Sequence, residues 1–289
     1  MPPQAELGTS GKAIKYGRSI KERYRQYSGN YGMMLGMALL GAASTIYHRI
    51  EAPNEKYPPT GPALYLTSHF SLEDVVPGLW IADPYRPLTK FPAKASYFKV
   101  PILGSILRAR GALPVNRDGN DADTSNIIID TLKQGSNVCI AYGATRSRDG
   151  RLTKVDKGVA RLTKLASAIN IPIIPIAEIG TYKTLPPGKW FPRPRKIKVI
   201  VGDPINFNQK LKEAKTREEK LEAVAKCILE SMNQLFPEER QYQFREGEEL
   251  VWDREEQEAY RKAYSLTHPS RLKRFGQIFH HSHSPSKAT

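Results

Sequence analysis

The chain has 289 residues, a formal net charge of +15 and only two cysteines. That length suits one α/β domain with additions at its ends and argues against a stapled mini-protein, and the absence of internal repeats argues against a solenoid. Cys139 and Cys227 stand far apart, without CxxC spacing or a neighbouring Cys/His cluster, so neither a disulfide framework nor a zinc site is expected; the charge calls for an anionic partner such as nucleic acid, an acidic bilayer or a phosphorylated substrate.

Residues 1–50 read as a basic and apolar segment. Lys12, Lys15, Arg18, Lys21, Arg23 and Arg25, opposed only by Glu22, lead into residues 31–47, which carry no formal charge. A run of that length sits at the lower limit for crossing a bilayer, which takes roughly 17 to 25 residues, and Gly32, Gly36, Gly41, Ser44 and Thr45 dilute it. A buried core helix and a signal peptide are alternatives. The reading adopted is a helix lying in or partly entering the interface, its basic flank held by anionic headgroups.

Residues 51–207 alternate short aliphatic runs with helical stretches. Residues 63–67, 137–142, 171–179 and 196–201 read as strands, rich in Val, Ile, Leu and Tyr. Residues 123–134, capped by Asp123 or Thr124 and closed by Gly135, read as a helix, and so do residues 156–169, closed by Asn170. The alternation predicts an α/β fold with a mostly parallel central sheet flanked by helices. Ligands in such folds sit beyond the carboxyl ends of strands, so residues just after a strand are the first candidates for function.

Beyond residue 207 the chain reads as a C-terminal helical extension. Leu221, Val224, Ala225, Ile228, Met232 and Leu235 share one helical face that should pack on the domain. A second helix is expected at about 248–265, starting just after Gly247, followed from Thr267 by a basic Ser/His-rich tail read as disordered.

Four segments carry candidate chemistry. His69 directly follows the first strand, within Ser68-His-Phe-Ser-Leu-Glu-Asp74. A histidine takes a proton at neutral pH, and a carboxylate on its other nitrogen fixes the tautomer and stabilises the imidazolium. Residues five apart do not face each other on one helix, so a His69–Asp74 dyad requires the histidine in the loop before the helix. The competing reading makes Ser71-x-x-Asp74 a capping signature. Second, residues 84–116 contain no acid and end in Gly111-Ala-Leu-Pro-Val-Asn-Arg117, a turn, a short strand and an arginine whose planar fork suits a phosphate. Third, the strand before Gly143 opens into Thr145-Arg146-Ser147, donors suited to a phosphate monoester. Fourth, Ile171-Pro-Ile-Ile-Pro-Ile176 is an apolar strand with two prolines, which either walls an acyl groove or lies at a sheet edge.

In order and spacing these four blocks resemble the glycerolipid acyltransferase family with its H-x4-D motif, typified by 1-acyl-sn-glycerol-3-phosphate acyltransferases. The resemblance runs over residues 64–205. It implies that His69, paired with Asp74, is the general base on the acceptor hydroxyl, and that Lys94, Arg117, Thr145, Arg146 and Ser147 bind substrate. It implies direct acyl transfer from acyl-CoA or acyl-carrier protein to a lysophospholipid such as 1-acyl-glycerol-3-phosphate, with no metal and no cofactor. The implied setting is the cytoplasmic face of an anionic membrane. The third block departs from the family's Phe-Pro-Glu-Gly, because Ala141-Tyr142-Gly143-Ala144 puts glycine where the family has glutamate. That leaves a different lysolipid acceptor, or a lipid-binding protein without turnover, as alternatives. Nucleic-acid binding is the reading from another class, permitted by the charge but supported by no helix-turn-helix, zinc-finger or RRM motif.

Overall fold

The structure is a computed structural model that describes residues 46–51, 62–70, 89–109, 111–116, 121–143, 145–147, 149–184 and 193–267. Most of the basic and apolar N-terminal segment, the tail beyond Thr267, and the candidate residues Asp74 and Arg117 lie outside them. Among the described residues no helix is long and apolar enough to cross a membrane.

Six strands form the central sheet: β1 (Ile50–Glu51), β2 (Leu64–Thr67), β3 (Thr89–Lys90), β6 (Asn137–Ala141), β8 (Ile173–Ile179) and β9 (Ile197–Val201), in the order β1-β9-β8-β2-β6-β3. Every neighbouring pair is parallel except β8 with β9. The mostly parallel sheet read from the sequence is therefore present, with one antiparallel turn-back. Two small parallel ribbons accompany it: β4 (Pro92–Lys94) with β5 (Leu113–Val115), and β7 (Val155–Asp156) with β10 (Val251–Trp252).

Side-chain alternation buries both faces of the sheet, as expected of parallel strands. Leu64, Leu66, Val138, Ile140, Ile173 and Ala177 face one core. Ala63, Tyr65, Ile174, Ile176, Ile197 and Val199 face another. The first core is covered by α2 (Asp121–Lys133), α3 (Lys157–Ala168) and, after the short α4 (Asn208–Glu213), α5 (Arg217–Leu235); α2, α3 and α5 supply Ile128, Leu132, Val159, Leu162, Leu221, Val224, Ile228 and Met232. The apolar stripe read on residues 221–235 is thus the buried face of α5. A Thr216–Glu219 capping box starts that helix.

Helix ends follow local chemistry. Asp156 caps α3 by accepting from the Val159 N–H, and Asn170, with φ 58°, ends it in a left-handed turn. Gly135, φ 84°, does the same after α2. α2 begins at Asp121, two residues before the expected start at residue 123.

Two expectations need correction. The proline-rich fourth segment forms β8, which lies inside the sheet between β2 and β9 and not at an edge. Proline is tolerated because the Pro175 carbonyl accepts from the Gly202 N–H (2.9 Å), so the missing donor faces the same way, just past the end of β9. The C-terminal helix, α6 (Arg254–Thr267), starts well after residue 248. The Glu222 carboxylate accepts from the Leu250 and Val251 N–H groups (2.8 and 3.1 Å), which holds that stretch extended and delivers it to β7.

Candidate functional site

The parallel register aligns the carboxyl ends of β2 and β6, since Thr67 pairs with Ala141. His69 therefore sits just beyond the end of β2, half-buried, in the crevice position where open α/β sheets bind ligands. The Tyr142 N–H donates to the Thr67 carbonyl (3.0 Å), carrying the ladder one step past the strands. Beyond it the Ser147 N–H donates to the His69 carbonyl (2.7 Å). Two blocks whose bonded residues, 69 and 147, stand 78 positions apart thus meet at one backbone bond.

The loop between them is tight. The Thr145 N–H donates to the Gly143 carbonyl (2.6 Å), and Thr145 and Ser147 are buried while Arg146 is half-buried. The Ser147 hydroxyl donates to Asp149 Oδ1 (3.1 Å) and accepts from the Gly150 N–H (3.0 Å), and Asp149 Oδ1 also accepts from the Arg151 N–H (3.0 Å). Those bonds make Ser147 the residue that holds the turn. Thr145 and Arg146 then stand as the residues of this run best suited to an anion.

Gly143 lies in this loop where the resembled family has an acid. It is buried, and a Cβ built on it would overlap Thr153 Oγ1, with the Lys154 carbonyl at 3.4 Å and Thr153 Cβ at 3.6 Å as its next neighbours. The space a side chain would enter is filled by Thr153. Next to it Tyr142 is fully buried, and burial pushes its phenol above the ordinary 10.0, with the Thr153 groups pulling more weakly the other way.

The C-terminal segment closes around the same loop. The Leu152 N–H donates to the Arg240 carbonyl (2.9 Å), and Arg240 Nη1 donates to the Asp149 and Gly150 carbonyls (3.2 Å each) from above the Tyr182 ring. Buried Gln257 donates to Asp156 Oδ2 (2.6 Å). Arg261 Nε donates to Thr145 Oγ1 (3.3 Å), reaching across 116 positions of sequence. Sequence reading missed Arg261, because a cation on a charged helix gives no signal of what it faces. It also passed over Glu178, a buried carboxylate near the carboxyl end of β8, the strand beside β2.

Lys94 ends β4 and pairs in register with Val115, two positions before Arg117. It is half-buried and belongs to the β4–β5 ribbon, whereas Thr145 to Ser147 follow β6 of the central sheet. Asp74 and Arg117 lie outside the described residues, so the dyad and capping readings of Asp74 both stand as sequence readings.

Residues 49–178 match the family model described as Acyltransferase. The chain is 29% identical over 147 residues to the chloroplastic 1-acyl-sn-glycerol-3-phosphate acyltransferase BAT2 of Brassica napus, covering 50% of this chain and 41% of that protein. It is 30% identical over 149 residues to the 1-acyl-sn-glycerol-3-phosphate acyltransferase of Limnanthes douglasii, covering 50% of each. The chain thus spans about half the length of these curated relatives, or less. The crystal structure of the 1-acyl-sn-glycerophosphate acyltransferase PlsC from Thermotoga maritima superposes with a TM-score of 0.54 over 75% of this chain and 87% of that one. At 19% identity that likeness speaks to the fold.

Proposed function

We propose that this protein, whose residues 49–178 match the acyltransferase family model, transfers a fatty acyl group to the free hydroxyl of a lysophospholipid. The acceptor is 1-acyl-glycerol-3-phosphate, giving phosphatidic acid, and the donor is acyl-CoA or acyl-carrier protein. The reaction takes place at the cytoplasmic face of an anionic membrane, without a metal or cofactor.

One contact supports the reading: the Ser147 N–H bond to the His69 carbonyl, which brings the backbone of His69 up to the turn that carries Thr145 and Arg146. In the proposed step the His69 imidazole takes the proton from the acceptor hydroxyl as that oxygen attacks the thioester carbonyl. The new C–O bond forms, the C–S bond breaks, and the thiolate leaves with the proton returned from the imidazolium. Asp74 holds the imidazole tautomer. Arg146, Thr145, Arg117 and Lys94 hold the acceptor phosphate and so fix the hydroxyl near the base, a kind of positioning worth at best about 7 to 11 kcal/mol of barrier. Ser147 keeps the turn in shape.

The test is turnover of lysophosphatidic acid with acyl-CoA by purified protein in detergent, followed by mass spectrometry. His69→Ala should lose turnover while keeping its melting curve; equal rates for the two proteins would remove His69 from the mechanism. Gly143 favours a second reading in which the acceptor carries a different headgroup, since Thr153 fills the space an acid would occupy. A panel of lysolipid acceptors separates the two.

A further inference from the structure

The helix α1 (Pro101–Ala109) and the turn before it, Ala95–Lys99, do not bury their apolar side chains in the usual way. Ile102 is 78% exposed, Tyr97 50%, Leu103 40% and Ile106 40%. Single exposed apolar residues are ordinary on a soluble surface, but four large ones within ten positions form a patch. At 100° per residue Ile102, Ile106 and Leu103 share an arc about 100° wide, while Gly104 and Leu107, in the sector next to it, turn inward.

The arrangement is fixed by packing. A Cβ on Gly104 would overlap the Phe98 carbonyl, and Arg108 Nη1 donates to that same carbonyl (2.8 Å), so the turn and the helix are clamped to one another with the isoleucines outward. The charges of this stretch have one sign. Lys90, Lys94, Lys99 and Arg108 lie within residues 89–116, and that stretch contains no acid. An apolar ridge on a stretch whose own charges are all cationic complements an anionic, amphiphilic surface and would repel a cationic partner.

Its place in the fold gives the patch a use. β3 runs parallel to β6, paired with its first two residues, and the chain passes from β3 through β4 into the turn and α1, so it heads towards the end of the sheet where β6 finishes. His69 and Thr145 to Ser147 follow the carboxyl ends of β2 and β6. We infer that α1 is a bilayer-docking helix: Tyr97, Ile102, Leu103 and Ile106 insert among the acyl chains of an anionic membrane and the basic side chains of the stretch contact its headgroups. This rests on the lipid-acyltransferase reading for its purpose, but the surface is testable without any turnover.

The experiment is cosedimentation of the full-length chain with vesicles of phosphatidylcholine, with and without phosphatidylglycerol. Relative to wild type, Ile102→Ser/Ile106→Ser should lower the partition coefficient on anionic vesicles about tenfold. Lys99→Glu should lower it on anionic vesicles and leave neutral ones unaffected. Because both serines replace exposed side chains, the melting curve of the double variant should hold, and its turnover on a short-chain lysolipid in detergent should match wild type. Any contribution of residues 12–47 is common to all proteins and cancels in the ratio. Equal partition of wild type and the double variant, or a double variant that stays bound to vesicles while a wild-type dimer becomes monomeric, would overturn the proposal. Vesicle binding lost as expected in the double variant, together with a wild type that has no acyltransferase activity, would keep the docking surface and remove the reaction instead.

Discussion

Gly143→Ala tests the account of the loop beside His69 most directly. The added methyl would overlap Thr153 Oγ1, a β-branched group with few alternative rotamers, inside a buried site. Overpacking of that kind costs about 1–3 kcal/mol, offset by about 0.4–1 kcal/mol from the stiffer unfolded chain. A net loss of about 0.5–2 kcal/mol is expected, which lowers the melting temperature by about 1–8 °C for a chain of this size. Thr153→Ala removes the overlapping oxygen. The remaining neighbours, at 3.4 and 3.6 Å, are at ordinary contact distance or nearly so. In that background Gly143→Ala should be neutral or slightly stabilising, giving a coupling of about 1–3 kcal/mol in a double-mutant cycle. Equilibrium urea denaturation of the four proteins measures it. If Gly143→Ala costs the same with and without the threonine hydroxyl, the overlap is not what keeps residue 143 a glycine. The same geometry says that an acid cannot simply be restored here: Gly143→Glu alone should lose much of its fold, and Thr153→Gly should recover part of it.

Arg261→Ala removes a charged donor to Thr145, worth about 1.5–3 kcal/mol in comparable cases. Loss of that anchor should lower folding stability by up to that amount and, by loosening Thr145, raise KM for the phosphate-bearing acceptor with little change in kcat; a rise in KM for the thioester instead would place Arg261 elsewhere. Asp156→Ala should cost about 1 kcal/mol as a lost cap, plus about 1–3 kcal/mol for leaving the Gln257 amide without its acceptor; adding Gln257→Leu should recover the second part in chemical denaturation. Alkaline stability follows from Tyr142. A phenol raised above 10.0 by burial contributes stability that is complete below pH 10 and lost as pH rises towards its folded value. The urea midpoint of wild type should therefore fall above pH 10, and Tyr142→Phe should fall less steeply over that range.

The central strands were legible because aliphatic, β-branched runs of four to seven residues bounded by turn residues have few other uses. Asn170 and Gly135 marked helix ends through their backbone freedom, which is local chemistry and so visible locally. The start of α6 was not legible, because the acids and polar residues from Glu248 onwards have ordinary helical composition. What holds them extended is the Glu222 carboxylate, delivered from the middle of α5. At the site, His69 and the Thr145 to Ser147 turn could be read because each follows a strand. Their bond to one another could not, since it depends on the β2–β6 register. Lys94 was nominated alongside them by resemblance, and the fold sets it on a separate ribbon.

The segment matching the family model ends at residue 178, yet the loop that carries Thr145 and Arg146 is held largely by residues after it. Arg240 fastens residues 149–152, the β7–β10 ribbon fastens residues 155–156, and Gln257 fastens Asp156. Arg261 then reaches Thr145 itself. A loop of small and polar residues has little apolar surface of its own to bury, so its shape must come from such partners. Removing residues 238–267 should therefore leave the β2–β6–β8 core, whose contacts come from α2, α3 and α5, while releasing the turn opposite His69. The expected result is retained core protection in hydrogen exchange with faster exchange at the amides of residues 145, 147 and 152. Unchanged exchange at those three amides would show that the loop holds its shape without the C-terminal segment.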